Sequence, residues 1–410
     1  MSDAIKHECG IALIRLRKPI QYYIDTYGTT AFAANRLYVL MQKQLNRGQD
    51  GAGVANIKIG TKPGTRYISR YRSVEPSAVN DIFDKINSKF KKAKKLGGKK
   101  ALTDGNWLKE NMAFSGEVWL GHLRYGTHGE NSIETCHPFL KQNNWRSRNL
   151  VMAGNFNMTN NEELFGRLVE LGQHPKEKTD TVTVMEKIGH FLDEENQRIF
   201  DQFKEEFSNQ ELTHVIEDKL DVGRILRRSC RDFDGGYAMA GMIGNGSAFV
   251  VRDPSGIRPA FYYADDEVIV VASEKPAIKS AFNIDFKAIK EIKPGHAIVI
   301  NKDGSFSEEE ILPAREKKSC SFERIYFSRG TDPDIYQERK NLGKALIPQI
   351  LKAIDFDLKN SVFSYIPNTA ETAFLGMIEG LDEYLVAKRK EVLLDGKPHV
   401  GDLEELLSFR

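Results

Sequence analysis

Between residues 237 and 300 five short apolar runs follow one another, at 237–243, 247–251, 260–263, 268–272 and 296–300, with glycine, proline or aspartate in several of the connections. Runs of this length predict β-strands. Helical spacing of apolar residues lies elsewhere, at 31–45, 161–171 and 181–192. Strands and helices therefore come in blocks. That arrangement predicts sandwiched layers in an α+β protein and disfavours a doubly wound parallel sheet. With 410 residues, 40% of them hydrophobic, the chain can bury sizeable cores.

The remaining composition works by exclusion. Subtracting 57 acidic from 59 basic side chains leaves +2, so no global charge calls for nucleic acid or an anionic membrane. Residues 85–100 hold eight lysines and no acid, but only Phe90 is aromatic there, which predicts a solvated loop or helix face. No apolar stretch approaches the ~18 residues of a membrane span, and the start MSDAIKHECGIALI lacks the core of a secretory signal. A cytoplasmic protein is expected, with no membrane partner. Four scattered cysteines, Cys9, Cys136, Cys230 and Cys320, make no CxxC pair, which disfavours both a disulfide framework and structural zinc.

Cys9 precedes Gly10 and an apolar strand signal at 9–16. A cysteine alone is more often an inert buried thiol. Here, loss of residues 1–8 as a propeptide would leave a thiol and an α-amine on one residue. The amine, with a pKa near ~8, is a usable general base beside the nucleophile.

Several segments then fall in a recognisable order: ECGIALI at 8–14, NRGQDGAGVA at 46–55, GHLRYGTH at 121–128, AGNFNMTNNEEL at 153–164 and TDTVTV at 179–184. This series resembles the class II glutamine amidotransferases, which are N-terminal-nucleophile hydrolases. Further on, VRDPSGIRP at 251–259, VVASE at 270–274 and CSFERIYFSRG at 320–330 resemble the amidophosphoribosyltransferase branch of purine synthesis. The resemblance implies a four-layer αββα sandwich over residues 9–315. It also implies that glutamine is hydrolysed through a cysteine thioester, the ammonia going to form phosphoribosylamine. Alternatives are a class II amidotransferase with another acceptor and a non-catalytic glutamine-binding regulatory module. A homo-oligomer is expected.

Glutamine is a zwitterion with a primary amide, so its site needs a cation, an anion and oxyanion donors. The resemblance assigns Cys9 as nucleophile, Arg124 to the substrate carboxylate and Asp180 to the ammonium. Tyr125, Gly126, Thr127 and Arg47 join the substrate-binding set. The Asn155 side chain and the Phe156 backbone N–H would form the oxyanion hole. Gly154 stands where the family has histidine and Phe156 where it has glycine; a non-glycine there keeps its N–H at no strain only if φ is negative. Each residue also has a plain structural role. Arg47 and Arg124 can be buried ion-pair partners, Asp180 a helix cap and Asn155 a turn residue.

After residue 315 the pattern predicts the start of an α/β phosphoribosyltransferase-like domain over 316–410. Strands are expected at 322–327 and 361–366, and helices at 336–354, kinked by Pro348, and at 370–388. No apolar strand ending in paired acids and followed by a Gly/Thr-rich phosphate loop occurs in these residues. Phosphoribosyl pyrophosphate is therefore expected only for a full-length enzyme, and Mg2+ only with a complete transferase domain. Cys320 has no later cysteine with which to hold an iron-sulfur cluster, so no cofactor is expected in this chain.

Overall fold

The computed structural model describes residues 9–126, 132–368 and 370–394. The chain divides into two compact units, Met1–Glu323 and Arg324–Arg410. The expected break lay at 315, a few residues earlier.

Among the described residues of the first unit there are thirteen strands: β1 (Gly10–Leu16), β2 (Gly51–Ile57), β3 (Ile68–Ser73), β4 (Val118–Arg124), β5 (Phe139–Lys141), β6 (Leu150–Met158), β7 (Gly235–Ile243), β8 (Ala248–Arg252), β9 (Phe261–Ala264), β10 (Val268–Ala272), β11 (Lys290–Glu291), β12 (His296–Ile300) and β13 (Phe306–Glu310). They form two antiparallel sheets, ordered β11-β9-β10-β1-β4-β2-β3 and β13-β12-β8-β7-β6-β5. Side chains alternate across each strand. Ile11 and Leu13 of β1 thus meet Val151, Ala153, Val250 and Ile298 between the sheets. Ala12 and Ile14 instead face the helices Phe32–Gln42, Ala78–Gly97 and Lys275–Phe282. On the far side, Met152 and Met239 pack under the helices Asn161–Glu170, Asp180–Phe203 and Val222–Ser229. Helix, sheet, sheet, helix is the four-layer order that the resemblance implies. The lysine run lies on the Ala78–Gly97 helix and just beyond it, with Ile82, Phe83 and Ile86 inward and all eight lysines exposed.

The second unit departs from expectation. Among its described residues there is no strand: the helices Pro333–Ala345, Ile347–Ala353 and Glu371–Leu394 pack around Ile347, Leu351, Met377 and Leu381. Residues Glu323–Phe327, expected as a strand, form a turn of π-helix. The expected strand at 361–366 is irregular, with Val362 95% and Ile366 85% exposed. Its β-branched and aromatic residues favour a pleated surface, but no neighbouring strand offers a ladder or a face to cover them. The helix break falls at Leu346, just before Pro348, as the proline requires.

Candidate functional site

Cys9 sits at the mouth of the layer between the sheets. β1 runs antiparallel to β4 with Gly10 opposite Leu123, which brings Cys9 alongside Arg124. The turn before β2 fixes the backbone beyond: a Cβ on Gly48 would lie 2.6 Å from the Arg124 carbonyl, so only glycine fits. Asp50 donates its N–H to the Arg124 carbonyl (3.1 Å) and accepts the Gly126 N–H on its carboxylate (2.7 Å).

Across the sandwich, β6 continues through Gly154, Asn155 and Phe156 to Met158, well past the expected end at residue 153. Asn155 is therefore a strand residue and not a turn residue. Its parity, shared with Val151 and Ala153, turns its side chain into the layer between the sheets. There its Oδ1 accepts the Cys9 N–H at 3.4 Å, and its Nδ2 donates to Glu323 Oε1 at 3.1 Å. The carboxamide nitrogen carries a second hydrogen for another acceptor. Phe156 lies in ordinary extended backbone paired with Tyr237, so a side chain there brings no left-handed strain.

β5 pairs with β6 only as far as Met152. Beyond it the even-numbered N–H groups of β6 point at an open edge. Gly154 donates to His137 Nδ1 (3.2 Å), and Met158 donates to Asp180 Oδ2 (3.0 Å). By strand alternation the Phe156 N–H points to the same edge, between these two. Asp180 opens the Asp180–Phe203 helix, whose N-cap is Thr179, with its side chain accepting the Val182 N–H. Asp180 is thus the first residue of that helix, and the capping side chain is its neighbour's.

This edge lines a cavity of about 480 Å3. Cys9, Arg124, Tyr125, Phe156 and Asp180 all border it, together with His122, His137 and Thr181. Arg47 does not. It is fully enclosed, its Nε 2.8 Å from Glu274 and its Nη2 2.6 Å from Glu323, with Arg258 3.8 Å from the latter. The expected substrate ligand is instead the centre of a buried ion cluster. Gly126 is exposed, its N–H bonded to Asp50, and it does not border the cavity; Thr127 lies outside the described residues, as do residues 1–8.

Sequence reasoning missed the two histidines and the two glutamates. Glu274 and Glu323 were present in the VVASE and CSFER segments, and only the fold shows that both reach Arg47. Burial drives the His122 pKa down to about 3 and holds that of His137 well below its ordinary value, so both are neutral. Burial likewise pushes the Cys230 thiol up to about 12 and raises that of Cys136, whereas Cys9 is partly exposed. Among the described residues no group of three or more His, Cys, Asp or Glu is placed to hold a metal ion, and no helix is long and apolar enough to cross a membrane.

The architecture is that of phosphoribosylpyrophosphate amidotransferases. The Bacillus subtilis enzyme complexed with ADP and GMP superposes with a TM-score of 0.57 at 22% identity, covering 91% of this chain and 64% of its own. A structure described as the allosteric regulatory enzyme of purine biosynthesis gives 0.58, also at 22%, covering 91% and 63%. In sequence the chain is similar to curated amidophosphoribosyltransferases. That of Methanocaldococcus jannaschii is 26% identical over 368 residues, 84% of this chain and 63% of its own length. That of Lachancea kluyveri is 28% identical over 276 residues, 63% of this chain and 49% of its own. That of Pasteurella multocida is 23% identical over 357 residues, 84% and 57%. No family model matches. The chain spans about half to just under two thirds of the length of these curated relatives.

Proposed function

We propose that the first unit releases ammonia from the side-chain amide of glutamine, with Cys9 as nucleophile. The observation that carries this reading is the meeting of Cys9, Arg124 and Asp180 around one cavity, with Asn155 held against Cys9. Arg124 offers a planar fork to the substrate carboxylate. Asp180, with one oxygen committed to Met158, keeps the other for the ammonium. The Cys9 sulfur bonds to the amide carbon, and charge gathers on the amide oxygen. The second Asn155 Nδ2 hydrogen and the Phe156 N–H receive it. The C–N bond then breaks, the nitrogen leaves as ammonia with the proton held by the base, and a γ-glutamyl thioester remains. Water attacks that thioester, giving glutamate and restoring the thiol.

The base is the Cys9 nitrogen once residues 1–8 are gone. In the unprocessed chain that nitrogen is an amide, which takes up no proton at neutral pH; general-base assistance is typically worth ~100- to 10,000-fold. Asn155 Oδ1 already accepts from this nitrogen and would hold the amine in place. The ammonia is destined for a phosphoribosyl acceptor. We assign phosphoribosyl pyrophosphate and Mg2+ binding to a chain of the relatives' full length, because the 410 residues carry no paired-acid strand and phosphate loop.

The test is ammonia release from glutamine by protein whose N-terminus has been sequenced. Activity is expected from material beginning at Cys9 and lost in Cys9→Ala, with glutamine binding retained. Full activity from material still beginning Met-Ser-Asp or Ser-Asp would overturn the base assignment.

A further inference from the structure

The open edge of β6 poses a problem that the glutamine chemistry does not explain. In a strand the N–H and C=O of one residue point to the same side, and buried groups of this kind need partners. Extending the β5–β6 register, in which Phe139 faces Met152, sets His137 opposite Gly154. No strand bonds are made there. The Gly154 N–H instead donates to His137 Nδ1 (3.2 Å), and its carbonyl is met by His122 Nε2 (3.1 Å), reaching over from the other sheet. The two rings lie 4.3 Å apart. His137 Nε2 then meets Thr181 Oγ1 at 3.0 Å.

The hydrogens are fixed by these partners. A carbonyl only accepts, so His122 carries its hydrogen on Nε2. A peptide N–H only donates, so His137 accepts on Nδ1 and donates from Nε2 to Thr181. Gly154 precedes Asn155, and Thr181 follows Asp180. Space is tight around this bridge: a Cβ on Gly53 would come within 2.0 Å of the His137 carbonyl, and one on Gly154 within 2.5 Å of the Phe156 ring.

We propose that His137 is a positioning residue that ties the oxyanion side of the cavity, through the Gly154 peptide, to the ammonium side, through Thr181. His122 holds the carbonyl of the same residue. This rests on the glutamine reading above. The bridge needs one acceptor and one donor on a single side chain, which a neutral imidazole supplies. Glutamine supplies the same pair on its carboxamide; leucine supplies neither.

The experiment compares His137→Leu, His137→Gln and Thr181→Val by glutaminase kinetics and by amide hydrogen exchange at Gly154. His137→Leu is expected to lower kcat on the order of 10- to 100-fold, the scale of a small misplacement of reacting groups, and to raise KM. His137→Gln should recover most of both, and Thr181→Val should raise KM more than it lowers kcat. Gly154 exchange should be slow in the wild type and His137→Gln and faster in His137→Leu. Equal kinetics for His137→Leu and wild type, or a glutamine variant as impaired as the leucine variant, would overturn the proposal. Should His137→Leu not fold, the other two variants decide it. A wild type that releases no ammonia defeats the glutamine reading, and Gly154 exchange then judges the bridge by itself.

Discussion

Replacing Arg47 by leucine tests whether the arginine is a substrate ligand or the keystone of a buried cluster. The guanidinium is 0% exposed and pairs with Glu274 and Glu323, each carboxylate only 3% exposed. Removing one partner of such a pair leaves uncompensated buried charge and costs about 3–5 kcal/mol. Two features favour the lower end. Glu274 keeps the Asn46 side-chain amide at 2.6 Å, and Glu323 keeps Asn155 at 3.1 Å with Arg258 at 3.8 Å. A loss of about 3 kcal/mol corresponds to a fall in Tm of roughly 6 °C for a unit of this size. Arg47→Lys should lie between, because charge survives while the fork that spans two carboxylates does not. Thermal unfolding followed by circular dichroism, paired with glutamine titration of the folded protein, reads both effects. An unchanged Tm with weakened glutamine binding would refute the structural assignment and restore Arg47 to the binding site.

Asn155→Ala should lower kcat by about 100- to 1,000-fold as an oxyanion donor, whereas Arg124→Lys should act mainly on glutamine affinity; an Asn155→Ala effect confined to KM would contradict the division. The pH dependence of stability follows from the buried histidines. Their folded pKa values are depressed, so below the unfolded value of ~6.5 the unfolded chain takes up protons that the folded one refuses. Their stabilisation is complete at pH 7.5 and falls as pH drops, by roughly 2 kcal/mol at pH 5 for His122, with a loss of the same sign for His137. Urea denaturation at both pH values should show a smaller acid loss in His122→Gln than in the wild type, and identical losses would contradict the burial argument.

Much of the sandwich could be read from the chain because strands buried on both faces announce themselves as apolar runs; β1, β7, β8, β10 and β12 lie where such runs predict them. The apolar signal for β6 stops at residue 153 because Gly154, Asn155 and Asn157 are poor strand formers. The long partner β7, paired from Gly235 to Ile243, carries them regardless. At 322–327 the apolar run predicts a strand that does not form. A short apolar and aromatic run does not distinguish strand from helix by periodicity alone, and the chain instead makes a helical turn. Of the residues on which the proposed site rests, Cys9, Arg124, Asn155 and Asp180 are singled out by segment order. His122 and His137 were not, since what gives them a role is the place where β5 ends, and no local pattern encodes that.

The central claim is that Cys9 is a nucleophile facing a glutamine site. Intact-mass measurement with peptide mapping, after treatment with a diazoketone analogue of glutamine, tests it most directly on protein whose first residue is Cys9. Cys320, also a partly exposed thiol, serves as internal control. The account predicts a single adduct on Cys9 whose formation excess glutamine suppresses. No adduct, an adduct on Cys320, or labelling of Cys9 that glutamine leaves unchanged would contradict it.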